Sequence, residues 1–227
     1  MLGQKAWADP MELVVVYDNE ALKEGLKQDW GFACLVGGDI LFDTGAKGEI
    51  LLYNMKKLGI DPTEVKSVVV SHDHWDHTGG LRALLQENER ISVYAPSRAC
   101  RSLREHASPK TEFVPCSGPT RVRGGFVTTG VFSSGVEEQG LVCMGEKKSF
   151  LIVGCSHPGV DLLLRAATRI VGSVEGVIGG FHGFNEFEIF KGLSVVSPCH
   201  CTKYKKEIEE KFPNEFKRCG AGLQIEF

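Results

Sequence analysis

Seven consecutive residues, Ser71-His72-Asp73-His74-Trp75-Asp76-His77, bring three histidines and two carboxylates together. They close a β-branched run over 66–71 (KSVVVS) that reads as a buried strand. Strand alternation puts His72 and His74 on one side of the chain. Asp76 and His77 then fall on the following turn, where they can reach a second nearby point. Imidazoles and carboxylates are ligands that zinc, iron or manganese accept. A histidine-rich surface loop is the plain alternative. It fits poorly with four potential ligands placed straight after a buried strand and followed by Gly79-Gly80.

The rest of the chain must position that segment. Strand-like stretches lie at 12–17 (ELVVVY), at 31–36 and 39–43 around a Gly37-Gly38 turn, and at 91–94. Helix-like stretches lie at 48–58, 78–86 and 98–106. The second half repeats the theme. Strands are expected at 126–132, 140–145 and 148–154, the last after a Glu146-Lys147 turn. A helix follows at 159–171, strands at 174–179 and 193–197, a charged helix at 203–211, and a strand-like LQIEF at the end. In each half a hairpin strand ends at a polar cluster, a helix follows, and the next strand ends in histidine. Two βα halves packed face to face, with sheets inside and helices outside, would bury both sheets and account for their apolar, non-alternating strands. With no linker or low-complexity segment, residues 1–227 are expected to form a single domain.

Composition narrows the function. The chain has 227 residues, of which 42% are hydrophobic and 24% charged, as in ordinary globular proteins. A net charge of −3 argues against a general nucleic-acid binder, which would show a basic footprint. Mean hydropathy is −0.08, and no apolar run approaches the roughly 18–20 residues of a membrane span. The first residues, MLGQKAWADP, lack the pattern of a signal peptide, so a cytoplasmic location is expected, with no membrane partner. Eight cysteines need not form disulfides in a chain large enough to bury a core. Most read as small buried hydrophobes. Cys155, Cys199 and Cys201 differ, because they stand in GCSHPG and PCHCT beside histidines.

The H-x-H-x-D-H segment after a strand, with the preceding LFDTG (Leu41 to Gly45), resembles the metallo-β-lactamase superfamily. The resemblance extends from about residue 12 to residue 227. It implies an α/β fold of the αββα sandwich type, with two mixed β-sheets face to face and helices outside. It also implies a metal-dependent hydrolase that binds two divalent metal ions, zinc first, with iron or manganese as alternatives. By position in the family pattern, His72, His74 and His157 would hold the first metal, and Asp76, His77 and His200 the second. Asp43 would orient the histidine loop rather than bind metal. One departure stands out. Many superfamily hydrolases carry a bridging Asp after a glycine in the second half, and here Gly154 is followed by Cys155.

GCSHPG, GGFH and CHCT are also similar to a narrower branch. Its members resemble a synthase that joins a dihydropterin-methyl diphosphate to a ribofuranosylaminobenzene phosphate. This chain departs from that branch at Lys203 and is shorter between Tyr94 and Phe113. A transferase of that kind is therefore one alternative to the hydrolase. An iron-containing redox or sensor protein using Cys155, Cys199 and Cys201 is another. In either metal-enzyme reading the partner is a small-molecule substrate. Asp76 would bind metal and hold the attacking water's proton. His182 fits none of the six ligand positions but follows a strand, so it is expected to contact substrate or act as an acid or base. Arg98, Arg101 and Arg104 recur every three residues. On a helix they form a cationic stripe that either faces solvent or reads a phosphate.

Overall fold

The strands that carry the apolar runs segregate into two sheets in the computed structural model, which describes residues 11–105, 107–146 and 148–227. The readings of residues 1–10, of the helix end at His106 and of Lys147 in its turn lie outside those residues. The first sheet contains β1 (Glu12–Tyr17), β2 (Ala33–Val36), β3 (Ile40–Phe42), β4 (Ser67–Val69), β5 (Ser92–Pro96), β6 (Glu112–Cys116) and, from the far end of the chain, β15 (Gln224–Glu226). Its seven strands run in the order β15-β1-β2-β3-β4-β5-β6. The β15-to-β3 part is antiparallel and the β3-to-β6 part parallel.

The second sheet is built from β7 (Arg121–Arg123), β8 (Phe126–Thr128), β11 (Leu141–Met144), β12 (Ser149–Val153), β13 (Gly176–Gly180) and β14 (Val195–Cys199). It has six strands in the order β14-β13-β12-β11-β8-β7, with β12, β13 and β14 parallel. A small separate ladder pairs β9 (Phe132–Ser133) with β10 (Glu137–Glu138). Both sheets are therefore mixed.

Period-two alternation explains how each apolar strand is used twice. Leu13 and Val15 of β1 meet Phe150 and Ile152 of β12 in a core between the sheets, joined by Phe42, Phe126 and Leu141. The intervening residues face outward under helices. On the first sheet, Val16, Leu41 and Val68 lie beneath α1 (Gly48–Lys57), α3 (Leu81–Glu87) and α4 (Ser97–Arg104). On the second sheet, Leu151, Val153 and Val177 lie beneath α5 (Val160–Val171) and α6 (Lys205–Lys211). Helix α5 shows the sequence logic plainly. Val160, Leu163, Leu164 and Ala167 make one apolar stripe at helical spacing, and all are buried. Each such fully buried Val or Leu contributes roughly 1.5–3 kcal/mol. The architecture is the expected helix–sheet–sheet–helix sandwich.

The differences from expectation are local. The single helix expected at 78–86 is two, α2 (Trp75–Thr78) and α3, broken at Gly79-Gly80. The break is a packing device: a Cβ on Gly79 would lie 2.1 Å from the carbonyl oxygen of Ala46. The strand expected at 126–132 stops at Thr128, and its tail forms β9 separately. Strands β6, β7 and β10 had no clear pattern. β6 contains Pro115 and β14 contains Pro198; each is the edge strand of its sheet, where a missing N–H is tolerated. Among the described residues no helix is long and apolar enough to cross a membrane.

Candidate metal centre

The functional residues collect where the two sheets present the same kind of edge. Asp43 follows β3, His72 follows β4, Cys155 to His157 follow β12, His182 follows β13 and His200 follows β14. These are C-terminal ends of parallel strands, the usual ligand edge of α/β sheets. Backbone strain collects there too. Among the described residues the non-glycine positions with positive φ are Asp43 (54°), Ser156 (58°), His182 (46°) and His200 (45°), and all four lie at this edge. Such conformations cost of order 1–3 kcal/mol each and cluster at functional sites. Gly154 lets the two sides approach: a Cβ there would lie 2.2 Å from Ser71 Oγ.

Among the described residues every histidine stands at this edge. His72, His74 and His157 bring one ligand atom each within reach of a common point, and so do Asp76, His77 and His200. These are the two trios expected from the sequence. His72 and His77 are fully buried, whereas His74 is exposed. Their rings lie close, with centroids 4.2 Å apart for His72 and His77 and 5.0 Å for His77 and His200.

The hydrogen bonds fix which nitrogen each ring offers. His77 Nδ1 donates to Asp43 Oδ2 at 2.7 Å. His157 Nδ1 donates to Glu138 Oε2 at 2.8 Å. His200 Nδ1 donates to Asn19 Oδ1 at 3.0 Å. His72 Nδ1 donates to Ser71 Oγ at 2.8 Å, and that hydroxyl donates to Asp43 Oδ2 at 2.7 Å. In all four rings Nε2 is thereby left as the lone-pair nitrogen, in the pattern of metal-ligating imidazoles held by outer partners.

The free donors stand at ligand spacing. His72 Nε2 is 3.1 Å from His74 Nδ1, and His200 Nε2 is 3.2 Å from Asp76 Oδ2. Two donors about 2.0–2.1 Å from one tetrahedral zinc would stand roughly 3.3 Å apart. His200 Nε2 is also buried without a hydrogen-bond partner. A buried orphan nitrogen facing a carboxylate is costly unless a cation completes it. The residues present therefore fit divalent metal ions.

Electrostatics agree with that fit. Burial, reinforced by the His200 ring, holds His77 down to about 3, so it is neutral at pH 7. Burial and the His77 ring push His72 well below the ordinary imidazole value. Burial opposes ionisation of Asp76, but the nearby His200 and His77 rings outweigh it and keep the carboxyl below the ordinary range.

Two buried carboxylates clamp the loops. Asp43, expected to orient the histidine loop, does so through His77 and Ser71, and its Oδ1 also accepts the Ser71 backbone N–H at 2.7 Å. Burial raises its pKa well above the usual value, against those hydrogen bonds. The other clamp, Glu138, was not singled out in the sequence. Its oxygens accept the backbone N–H groups of Cys155, Ser156 and His157 at 2.7–2.9 Å in addition to the His157 ring. Burial pushes its pKa up, but the His157 hydrogen bond, the His72 ring and the backbone donors prevail and hold it at about 2. Asn19 and Asp18 were missed as well. Asp18 accepts the His200 backbone N–H at 3.0 Å. The one available signal was alternation in VEEQG, which turns Glu138 inward and Glu137 outward.

The remaining expectations divide. His182 sits at the rim, exposed, with its ring 5.3 Å from that of His157. Burial and the His157 ring lower its pKa. The arginine stripe splits: Arg98 lines a cavity of about 240 Å³ together with Asp73, His74 and Glu137. Arg104 instead donates to the carbonyl of Phe113 at 2.9 Å, and Arg101 faces solvent. Cys199 lies in the core between the sheets, away from the metal positions. Cys155 and Cys201 lie among them.

Comparison with known proteins follows the same lines. The family model of the metallo-beta-lactamase superfamily matches residues 28–162. The 7,8-dihydropterin-6-methyl-4-(beta-D-ribofuranosyl)-aminobenzene-5'-phosphate synthase of Methanocaldococcus jannaschii is 30% identical, over 83% of this chain and 84% of that protein. The N-acyl homoserine lactonase AttM of Azorhizobium caulinodans is 42% identical over a short stretch, 23% of this chain and 18% of that protein. Among solved structures, Tm1679, a metal-dependent hydrolase of the beta-lactamase superfamily, superposes with a TM-score of 0.78 at 26% identity, covering 96% of this chain and 99% of that one.

Proposed function

The chain belongs to the metallo-β-lactamase superfamily, and on that footing we propose that it is a metal-dependent hydrolase of a small phosphorylated substrate, with two adjacent metal positions. The observation that carries this reading is the shared orientation of His72, His77, His157 and His200. Each commits Nδ1 to a protein acceptor and leaves Nε2 for a cation. His72, His74 and His157 would hold one ion, and Asp76, His77 and His200 the other, with zinc the first candidate and iron or manganese the alternatives.

Such ions would lower the pKa of a water towards about 7 and would neutralise charge that develops on the substrate. The chain's own groups do the rest. Asp76 stays ionised at neutral pH and accepts hydrogen bonds only, so besides binding metal it is placed to orient an attacking group by accepting its hydrogen bond. His182, neutral at pH 7, reaches the rim over His157, where it contacts substrate or exchanges a proton with it. Arg98 offers a planar fork for phosphate oxygens in the cavity beside His74.

A second reading has its own support. The synthase relative matches most of both chains, which favours transfer of the dihydropterin-methyl group to an organic nucleophile in place of water. One experiment separates the two. Metal-loaded protein is given phosphoesters, lactones and the dihydropterin-methyl diphosphate, with and without the ribofuranosylaminobenzene phosphate, in ¹⁸O-labelled water. Hydrolysis places ¹⁸O in a product. A coupled product free of ¹⁸O selects the transferase. No turnover of any of these compounds contradicts both.

A further inference from the structure

We infer that Cys155 is a sulfur ligand shared between the two metal positions. This deepens the metal-dependent reading and rests on it. Cys155 is buried at the end of β12, yet polar groups surround it. Its Sγ lies 3.2 Å from His77 Nε2, and its neighbours include the carboxylates of Asp76 and Glu138.

Its position is between the trios. Cys155 Sγ groups within ligand reach of His72 and His77 on one side, and of His200 and Cys201 on the other. His72 belongs to the first trio, whereas His77 and His200 belong to the second. Among the described residues, no side chain outside the trios other than Cys155 is grouped with members of both. The unpartnered, buried Nε2 of His200 faces the same space.

The loop is built to hold the sulfur there. The Cys155 N–H is fixed to Glu138 Oε1 at 2.9 Å, and Gly154 permits the close approach to Ser71. Cys34, Cys143, Cys199 and Cys219 lie in the apolar core between the sheets, as structural cysteines do.

The chemistry balances without an oxidant. On metal binding the Cys155 S–H proton leaves to solvent, and the thiolate lone pairs form the metal–sulfur bonds. A shared thiolate would tilt the site towards zinc, iron or cobalt and away from magnesium and manganese. Cys201, partly exposed, stands next to this ligand and is outside the assignment.

Cobalt(II) substitution tests the assignment, with cobalt per chain and the absorption spectrum read together. The expected result is two equivalents of cobalt with an intense near-ultraviolet thiolate-to-cobalt band. That band is lost in both C155S and C155D and kept in C201S. C155D, with a carboxylate at the shared position, retains two equivalents. C155S binds the second equivalent on the order of 100-fold more weakly, no less than loss of an outer-shell partner would cost. X-ray absorption at the zinc edge of the unsubstituted protein needs no variant and should show a sulfur neighbour. Cobalt bound without the band and zinc without a sulfur neighbour would overturn the role of Cys155 while leaving the metal reading intact. A band lost in C201S but kept in C155S would overturn it as well. A protein that binds no cobalt or zinc at all would overturn the metal reading and this inference together.

Discussion

The two sides of the metal centre are built differently. On the first sheet, one contiguous segment from His72 to His77 supplies four prospective ligands, and one carboxylate, Asp43, orients the set through His77 and Ser71. On the second sheet the ligands arrive singly, from the ends of β12 and β14, and Glu138 clamps chiefly backbone, with three N–H groups and one imidazole. A dense segment needs its side chains aimed. A sparse one needs its backbone fixed first. The carboxylates reflect this: Glu138 is so well supplied with donors that it stays ionised despite burial, whereas burial raises Asp43.

The sharpest way to break the comparison is E138A. It strands three buried N–H groups and the His157 ring. An expected loss of about 3–5 kcal/mol in denaturant unfolding follows from an uncompensated buried network, along with the metal held by His157. D43N should act mainly on metal, because the amide can turn an N–H towards His77 and disturb its tautomer. A chelator competition should show affinity at the His77 position reduced roughly 10–100-fold, with a smaller loss of stability than E138A.

Acid sharpens the contrast. Glu138 is depressed from an ordinary 4.5 to about 2, so between those values the unfolded chain binds the proton and the folded one does not. Its contribution, on the order of 3 kcal/mol, is complete above pH 4.5 and lost as the pH falls towards 2. The unfolding free energy of E138Q should be flatter than wild type across that window. The smallest expected effects lie at the arginines. R98E should raise the KM for a phosphorylated substrate about tenfold, whereas R101E, facing solvent, should change it less than about twofold.

The same contrast explains what the sequence could convey. SHDHWDH was legible because ligands one to five residues apart need only one strand and one turn to meet. The sandwich was legible because strands such as β1 and β12 bury both faces and so read as continuous apolar runs. His157 and His200 were recognised through the family pattern rather than from local spacing, since three-dimensional proximity of separate strand ends leaves no local trace. Glu138 and Asn19 were missed for that reason: each sits in a short polar segment that looks like any loop. Gly79-Gly80 misled in another way. Helical periodicity runs through them, and the close approach of Ala46 that leaves no room for a Cβ at Gly79 is a tertiary fact.

The central claim is that the two trios hold two metal ions. Metal content per chain, by mass spectrometry on protein dialysed against metal-free buffer, tests it most directly in wild type, H157A and H200A. The account expects close to two equivalents of zinc, iron or manganese in wild type and about one in each variant, lost from a different position in each. A wild type holding one equivalent or less, or variants that retain the wild-type content, would contradict it.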